Sequence, residues 1–378
     1  MKTAKKFFKI IGIIIGILVI ALLAYLIYLY ASYHRIEDNL PLEVESRVEQ
    51  ADAKLTTGKE YSALTYNIGF GAYTPDFSFF MDGGKSSWAK SKDSVLETVQ
   101  GAGELVASYD PDFALIEEVD LDSTRSYHVN EYSILKDCMP DYDCVFAQNY
   151  DSAFLFYPFT QPHGKSKAGL ALFSKYPITG SMRRSFPIST SFTKFFDLDR
   201  CYSISRVPVD NGKELVIFEL HMSAYGNSDA IREGQIRMLS EDMQKEYEAG
   251  NYVICGGDFN HDLKAADTQS KASDADNNTQ TGSEDSAEPE SWAYPFPRSE
   301  LPEHFSFCLD QLSEDEKNNL WNSARNADME YVPGETYTVT LDGFIISDNV
   351  ECTKYENVNT GYSYSDHDPV YMEFQLKK

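Results

Sequence analysis

One uncharged stretch near the N-terminus decides how the rest of this chain must be organised. No charged residue occurs from Ile10 to Ala31, and these 22 residues are mostly Ile, Leu, Val, Ala and Tyr. A helix of about 20 apolar residues spans the hydrocarbon core of a bilayer. The apolar part of a cleaved signal peptide usually has only about 7–15 residues. The sequence therefore favours an uncleaved transmembrane helix over a signal peptide.

The charges that flank this stretch predict its orientation. Four lysines lie among the first nine residues, and only Arg35 follows the apolar stretch closely. Positive residues stay on the cytoplasmic side of single-pass proteins. We therefore expect a cytoplasmic basic tail over 1–9, a transmembrane helix over 10–31, and the rest of the chain outside the cytoplasm at the cell membrane.

Composition limits what the rest of the chain can be. The protein has 378 residues, 33 Lys and Arg against 59 Asp and Glu, and a formal net charge of −26. Aromatic residues reach 13%, which excludes a wholly disordered protein because such chains have few core-forming rings. The acidity argues against a protein that coats DNA through a broad basic surface. An enzyme that binds one phosphate through a metal stays compatible with it.

Segments of different composition predict the domain boundaries. Residues 32–58 are polar and acidic and suggest a linker, with a short helix at most. Residues 59–378 would form the folded domain, interrupted at 264–291 by a stretch with almost no large apolar side chain. Such a stretch cannot offset its ordering entropy, so we predict a disordered surface insertion. Cys138 and Cys144 are close enough in sequence to form a local disulfide, which the sequence leaves open.

Short apolar runs separated by turn residues predict more strands than helices. The predicted strands are Tyr61–Asn67, Phe113–Glu118, Ala168–Ser174, Cys201–Val209, Leu215–His221, Tyr252–Gly256, Thr340–Ile346 and Val370–Gln375. Helices are predicted over Lys92–Ser108 and Ala230–Gly250. This pattern predicts a mixed sheet or a two-sheet sandwich with helices outside.

Polar and ionisable side chains stand at the ends of several of these strands. Each of them alone has an ordinary structural explanation, such as a turn, a cap or a solvated strand end. An ionisable group beside an apolar strand is costly to bury unless it is paired or bound to a metal, so the repeated pattern indicates a site. The residues concerned are Asn67, Glu118, His221, Asp258, Asn260, Asp342, Asp366 and His367.

The motifs around these residues, in this order, resemble the endonuclease/exonuclease/phosphatase superfamily with the DNase I-like fold. They are TYN, EEV, LHM, GGDFN, LDGF and SDHDPV, and GLALFSKYPI resembles an internal strand motif of the family. The resemblance extends from about residue 59 to the C-terminus. It implies a four-layer α-β-β-α sandwich of two mixed sheets and the cleavage of phosphoester bonds with a divalent metal, usually Mg²⁺, with Mn²⁺ or Ca²⁺ as alternatives.

The resemblance also implies roles for the individual residues. Asn67, Glu118 and Asp366 would form the metal site, since a hard cation takes oxygen ligands. The implied catalytic roles are water activation by Asp258, positioning of that water by Asn260, charge stabilisation by His367, orientation of His367 by Asp342, and phosphate contact or proton donation by His221. Two positions depart from the family pattern: Glu117 stands where Gln is common, and Glu219 where Asn is common.

The substrate is the least constrained part of the prediction. The stretch from Lys165 to Arg206 has eight basic and two acidic residues, and such a patch can steer an anionic substrate. Within it we predict Lys167 and Arg200 as substrate contacts. Aromatic stretches such as Phe154–Phe159 would be mostly core, but some would suit an apolar rim around a lipid headgroup.

Three functions remain open from the sequence. The first is a membrane-anchored phosphoester hydrolase that acts on a lipid headgroup, a nucleic acid or a small phosphate ester. The second is an extracellular deoxyribonuclease. The third, from a different class, is a tethered binding module without catalytic activity, and the complete set of polar strand-end residues argues against it. No protein partner is predicted; the membrane is contacted through the N-terminal helix.

Overall fold

The computed structural model of the protein describes residues 2–223, 229–265 and 293–378. Its first element is a long apolar helix, α1, that runs unbroken over Lys2–Ser32. Within the described ranges, Ala4–Ser32 is the one helix that is long and apolar enough to cross a membrane. Length and composition alone would also allow a signal sequence here.

The remaining elements are mostly strands. Four further helices are α2 (Lys92–Tyr109), α3 (Glu131–Cys138), α4 (Asp229–Glu248) and α5 (Glu314–Asn319). The strands are β1 (Leu40–Pro41), β2 (Val44–Glu45), β3 (Glu60–Asn67), β4 (Phe113–Asp120), β5 (Asp143–Asp151), β6 (Lys167–Ser174), β7 (Gly180–Ser185), β8 (Cys201–Pro208), β9 (Glu214–His221), β10 (Tyr252–Asp258), β11 (Phe305–Phe307), β12 (Ala324–Arg325), β13 (Thr338–Val339), β14 (Asp342–Ser347), β15 (Val350–Asn357) and β16 (Val370–Leu376).

Two seven-stranded mixed sheets form the body of the domain. One has the order β1-β7-β8-β9-β10-β14-β11, and the other has the order β15-β16-β3-β4-β6-β5-β2. A two-stranded ladder of β12 and β13 lies beside them. Every strand and helix predicted from the sequence is present, with bounds that shift by a few residues.

Apolar residues between and outside the sheets create four layers. Residues of both sheets, such as Leu115, Ile217 and Phe344, form one buried cluster between them. On the outer face of the second sheet, α2 and α3 cover another cluster that includes Val99. On the outer face of the first sheet, α4 contributes Leu239 to a third cluster of buried apolar residues. This helix-sheet-sheet-helix arrangement confirms the predicted α-β-β-α sandwich.

The segment expected to be a linker is attached to the domain. Instead of a short helix, residues 32–58 contain β1, which pairs with β7, and β2, which pairs with β5. Asp143 accepts hydrogen bonds from the backbone N–H of Arg47 and Val48 at 2.6 and 3.0 Å. The chain that follows α1 therefore runs along one edge of each sheet. Two-residue strands leave no periodic signal in a sequence, which is why this pairing was not predicted.

Two smaller expectations concern the insertion and the cysteines. Nearly all of the predicted insertion 264–291 lies outside the described residues. Lys264 is described, and its ammonium group donates to the backbone oxygen of Leu320 and to Asn322. The local disulfide between Cys138 and Cys144 does not form, because both thiols are free.

Candidate active site

The strand ends that the sequence singled out meet at one edge of the two sheets. Because β9 and β10 are parallel neighbours, their last residues, His221 and Asp258, lie side by side. The antiparallel partner β14 places Asp342 opposite Asp258. From the other sheet, Asn67 at the end of β3 donates through Nδ2 to Asp258 Oδ2 at 3.1 Å. The carboxylate of Asp258 thus links the two sheets.

A close approach of the backbone makes this arrangement possible. Gly257, next to Asp258, has a φ of +141°, and a Cβ there would lie 2.0 Å from the carbonyl oxygen of Leu220. Any other residue would push β9 and β10 apart or strain the backbone. The glycine therefore fixes how His221 and Asp258 approach each other.

His367 and Asp342 form a buried pair beside Asp258. His367 Nδ1 lies 2.8 Å from Asp342 Oδ2, and the hydroxyl of Ser323 donates to the same carboxylate oxygen at 2.7 Å. The other ring nitrogen, His367 Nε2, lies 3.8 Å from Asp258 Oδ2. The Asp342 contact holds Nδ1, so Nε2 is turned toward the centre of the site.

Glu118 reaches the site through an irregular backbone. Its φ is +57°, and the pairing of β4 with β6 is interrupted between Ile116 and Val119. A left-handed conformation is unusual for a non-glycine residue and often accompanies function. The Glu118 carboxylate lies 4.0 Å from His221 Nε2 and accepts from Asn67 Nδ2 at 3.3 Å.

The two departures from the family pattern do not enter the site. Glu117 accepts a hydrogen bond from Thr65 Oγ1 at 2.8 Å, and Glu219 accepts one from the backbone N–H of Ile116 at 3.1 Å. Both are fully buried away from the cavity lining. Burial raises the pKa of Glu219 to about 8, and burial together with Glu219 raises the pKa of Glu117 well above its ordinary value. These carboxyls are therefore neutral parts of the core.

Asn67 presents a donor to the site. Its Oδ1 accepts the backbone N–H of Gly69 at 3.0 Å, while its Nδ2 faces the carboxylates of Glu118 and Asp258. Turning the amide over would leave that backbone N–H without an acceptor and place oxygen against two carboxylates. The orientation suits a group that holds the two carboxylates, rather than an oxygen ligand of a metal.

The charges of the site are set by burial and by neighbouring carboxylates. Burial raises the pKa of Asp258 to about 7. Burial alone would lower the pKa of His367, but the carboxylates of Asp342 and Asp258 hold it well above its ordinary value. Burial, followed by the nearby Arg200, depresses the pKa of His221 well below its ordinary value. The surroundings therefore favour the charged form of His367 and the neutral form of His221, a separation typical of acid and base roles.

A cavity of about 600 Å³ opens over these residues. Its wall includes Glu118, His221, Asp258, Asn260, Asp366 and His367. Asn260 has a φ of +50°, its backbone N–H donates to Asp258 Oδ1 at 2.8 Å, and its Nδ2 donates to the Met222 carbonyl at 3.0 Å. The cavity wall therefore brings predicted metal ligands and predicted catalytic residues together, whereas Asn67 and Asp342 are not among the residues that line it.

Arg200 lines this cavity with unused donors. Its exposed fraction is 6%, and its Nε and Nη1 have no hydrogen-bond partner. The nearest carboxylate oxygen, on Asp197, is 3.8 Å from Nε. A buried guanidinium with two unused donors and only a long ion pair to Asp197 is costly, so its position suits an anionic group that enters the cavity. The second predicted substrate contact, Lys167, begins β6 and is not among the residues of the cavity wall.

The cavity also contains residues that the sequence did not indicate. Arg125 pairs with Asp120 through two hydrogen bonds of 3.1 and 2.9 Å and lies 3.8 Å over the ring of Phe70. Burial, with Asp366 and Glu118 nearby, raises the pKa of Asp82 to about 7. Neither residue ends a strand, so no sequence pattern points to it.

The oxygen donors around Glu118 fit a divalent cation. Burial raises the pKa values of both Glu118 and Asp366, and the Arg125 beside Glu118 is already paired with Asp120. Two carboxylates that act on each other's charge in one cavity supply the oxygen ligands that Mg²⁺ takes. A second group, Asp258, Asp342 and His367, has ligand atoms within 4.8 Å of one another. In that group the contact of His367 Nδ1 with Asp342 favours an acid–base pair over a metal site.

Comparison with known proteins places this site in context. The model of the Endonuclease/Exonuclease/phosphatase family matches residues 64–327. That range contains Asn67, Glu118, His221 and Asp258, whereas Asp342, Asp366 and His367 follow it. An inositol phosphosphingolipids phospholipase C of Schizosaccharomyces pombe is 27% identical over 173 residues. The match covers 43% of this chain and 36% of the yeast protein, so the chain spans about a third of that relative's length.

Solved structures share the fold at low sequence identity. An endonuclease/exonuclease/phosphatase from Beutenbergia cavernae has a TM-score of 0.57 at 14% identity, with 84% of this chain and 72% of that chain covered. D. rerio TDP2 complexed with single-strand DNA product has a TM-score of 0.52 at 16% identity, with 84% and 100% covered. The human Nocturnin catalytic domain with bound sulfate anion has a TM-score of 0.51 at 16% identity, with 89% and 97% covered.

Proposed function

The chain belongs to the endonuclease/exonuclease/phosphatase family, and we propose that it is a membrane-anchored, divalent-metal-dependent phosphoester hydrolase. One observation carries this proposal: Asp258 Oδ2 lies 3.5 Å from His221 Nε2 and 3.8 Å from His367 Nε2, and Glu118 shares the same cavity wall. General base, cationic stabiliser and metal ligand are the groups that in-line attack of water on a phosphate requires.

Asp258 is the proposed base. Its Oδ1 is held by the backbone N–H of Asn260 and its Oδ2 by Asn67 Nδ2. These hydrogen bonds fix the carboxylate, so it can accept a proton from a water at the cavity wall. The raised pKa of about 7 suits a base that works near neutral pH.

Three cationic or donating groups would hold the phosphate. His367 presents Nε2, and its contact with the Asp342 carboxylate favours the charged form of the ring. Arg200 offers its free Nε and Nη1, and His221 offers Nε2 from between Glu118 and Asp258. Preorganised donors of this kind stabilise negative charge that develops in the transition state.

Glu118 and Asp366 would hold the metal. Asn67 would donate hydrogen bonds to both Glu118 and Asp258 and so hold the metal ligand and the base at a fixed distance from each other. When bound, the ion would supply Lewis acid stabilisation of a phosphoryl oxygen. Mg²⁺ is the proposed ion, with Mn²⁺ or Ca²⁺ as alternatives.

We infer that α1 anchors the protein in the cell membrane with its N-terminus in the cytoplasm and the catalytic domain outside. The support is an 18-residue apolar window of α1 that is not buried in the structure, together with the lysines at the start of the helix. The end of α1 does pack on the domain, where Leu29 is fully buried, and this contact suits a helix that stays attached to the domain.

We propose that the substrate is the phosphoester of a lipid headgroup, in preference to a nucleic acid. The name of the S. pombe relative concerns phosphosphingolipids, and a membrane anchor suits a substrate in the membrane. The similarity to TDP2 supports the fold alone. An extracellular deoxyribonuclease stays the alternative, since an acidic enzyme with a net charge of −26 can still bind one phosphate through a metal.

The experiment is a substrate panel with the full chain in detergent micelles. Phospholipid and sphingolipid headgroup esters, single-stranded DNA and bis-p-nitrophenyl phosphate are each incubated with and without Mg²⁺. We expect metal-dependent hydrolysis of at least one substrate, and its loss in Asp258→Asn. Absence of hydrolysis across the panel with Mg²⁺, Mn²⁺ and Ca²⁺ would instead support a tethered binding module.

A further inference from the structure

Two connecting segments lie at the same end of the sheets as the active site. The segment 152–166 joins β5 to β6, and the segment 186–200 joins β7 to β8. β5 is antiparallel to β6, and β6 is antiparallel to β4, so the first segment follows the site end of its sheet. β7 is antiparallel to β8, and β8 is antiparallel to β9, which ends at His221. The second segment therefore also lies at the site end of its sheet. Both segments therefore border the catalytic residues.

The same two segments hold the last turns of α1. The Tyr25 hydroxyl donates to the Phe154 carbonyl at 3.1 Å, and the backbone N–H of Phe154 donates to the Tyr28 hydroxyl at 2.9 Å. The Phe195 ring makes edge contacts with Tyr30 and Tyr33, with centroids 4.8 and 5.2 Å apart. The helix that would cross the membrane is thus attached at the active-site end of the domain.

The position of this contact along α1 sets its depth in a bilayer. A hydrocarbon core of about 30 Å takes about 20 helical residues, so a span that starts at Ile10 ends near Leu29. Tyr25 and Tyr28 lie in the last turns before that end, and Phe154, hydrogen-bonded to both, lies at the same level. Because an irregular backbone is not stable in the hydrocarbon, this contact requires the span to lie about one helical turn nearer the N-terminus, with Tyr25, Tyr28 and Phe154 at the headgroup interface.

The exposed side chains of these segments match that environment. The exposed fractions are 50% for Phe156, 61% for Tyr157, 85% for Phe159 and 46% for Phe192. Four large rings this exposed are costly in water but typical of the membrane interface. Lys194, which lies 4.7 Å over the ring of Tyr33, adds a positive charge at the same place.

The cavity opens beside these rings. Thr193 and Phe196 of the second segment and His163 of the first belong to its wall. The ring of Tyr157 packs on Phe80, which in turn packs on His163, at centroid distances of 5.8 Å each. Among the described residues, both connecting segments thus contribute directly to the cavity wall.

We propose that the segments 154–159 and 192–196 lie in the outer-leaflet interface of the bilayer that α1 spans, and that the active site thereby opens toward lipid headgroups. The substrate would be the phosphoester of a headgroup that enters the cavity from the membrane plane. This inference rests on the proposed hydrolase function and on the proposed anchor, and its test separates failure of the docking from failure of the hydrolase function.

The test measures depth with the full chain in phosphatidylcholine vesicles. Phe159→Trp adds a fluorophore to the aromatic segment. Asp210→Trp adds one to the exposed turn before β9, at the opposite end of an eight-residue strand, about 25 Å away. The fluorescence of each added Trp is obtained by subtracting the emission of the parent protein. Its quenching is then measured with brominated phosphatidylcholine and, separately, with aqueous iodide.

If the segment 154–159 lies in the bilayer interface, brominated lipid should quench the added Trp at position 159 several-fold more than the one at position 210. Iodide should quench the Trp at position 210 more than the one at position 159. Iodide quenching at 159 without bromine quenching would place the segment in water and overturn the proposal. Protection from both quenchers would place a second protein copy on the surface and overturn it equally. These outcomes do not depend on catalysis.

A second arm tests access from the membrane. The double variant Phe156→Ser, Phe159→Ser should lose turnover of a headgroup ester in vesicles by about tenfold, and should keep its rate on soluble bis-p-nitrophenyl phosphate. An equal loss on both substrates, or no loss on vesicles, would contradict the docking. If the parent protein hydrolyses neither substrate with metal, the hydrolase function fails while the quenching result still decides the docking.

Discussion

Replacement of Asp342 by Asn tests whether this carboxylate makes His367 a cation. The substitution keeps the shape of the side chain and an oxygen that can face His367 Nδ1, at present 2.8 Å away. It removes a charge pair that, at about 4 Å between charge centres and an effective dielectric of about 20, contributes on the order of 4 kcal/mol. Without that pair the imidazolium loses its main support.

The expected cost in catalysis follows from the loss of one charge stabiliser. We expect the kcat of Asp342→Asn to fall about 100-fold, since removal of one such group typically costs 10²–10³ in rate. The new amide would also place its NH₂ where Asp342 Oδ1 now has no partner, so stability should fall by about 1–3 kcal/mol. Kinetics must therefore be expressed per folded molecule.

The assay is a double-mutant cycle with His367→Ala. If Asp342 acts through His367, the double variant should lose little beyond His367→Ala alone. Asp368→Asn is the matched control: Asp368 is also fully buried, adjoins His367 and bonds Trp321 and Thr360 instead. It should lower stability and leave kcat nearly unchanged. Fully multiplicative losses for Asp342→Asn and His367→Ala would refute the pairing.

Three further predictions concern the metal, the buried carboxyls and the insertion. Glu118→Gln should need a higher Mg²⁺ concentration for half-maximal activity, whereas Asp258→Asn should stay slow even at saturating Mg²⁺. Rates measured against metal concentration separate the two variants, and identical curves would contradict the roles of Glu118 as metal ligand and Asp258 as base. Burial raises the pKa of Glu219 to about 8, so the folded state holds a proton that the unfolded state releases. As pH rises from about 5 to 8, the free energy of unfolding of the wild-type protein should therefore fall, relative to that of Glu219→Gln, by up to about 1.4 kcal/mol per pH unit. Chemical denaturation at several pH values measures this difference, and a pH-independent difference would contradict the prediction. Replacing 266–291 by a short Gly/Ser loop should change the melting temperature little, because closure entropy varies slowly with loop length; loss of the folded domain would show a structural role.

The sequence was sufficient to predict the fold because its signals are local. Apolar runs that end in a polar residue mark β3, β9 and β10, and the parallel pairing of β9 with β10 then brings His221 and Asp258 together. The motifs GGDFN and SDHDPV are specific enough to give the four-layer sandwich. These features depend on short stretches of chain, which sequence patterns describe well.

The parts that were not predicted depend on tertiary contacts. The donor orientation of Asn67 follows from the backbone N–H of Gly69, and the core position of Glu117 follows from a bulge that turns Glu118 alone into the cavity. Arg125 enters the wall through its pairing with Asp120. The attachment of α1 at the active-site end is visible only once the segments 152–166 and 186–200 are placed.

Removal of the metal from the wild-type protein tests whether hydrolysis depends on a bound divalent cation. The full chain is stripped with EDTA, the chelator is dialysed away, and hydrolysis of bis-p-nitrophenyl phosphate is followed as Mg²⁺ is added back, with Glu118→Gln in parallel. We expect the stripped wild-type protein to lose its activity and to regain it with Mg²⁺, and we expect Glu118→Gln to need more metal for any recovery. Full activity of the wild-type protein in excess chelator would contradict the metal-dependent mechanism.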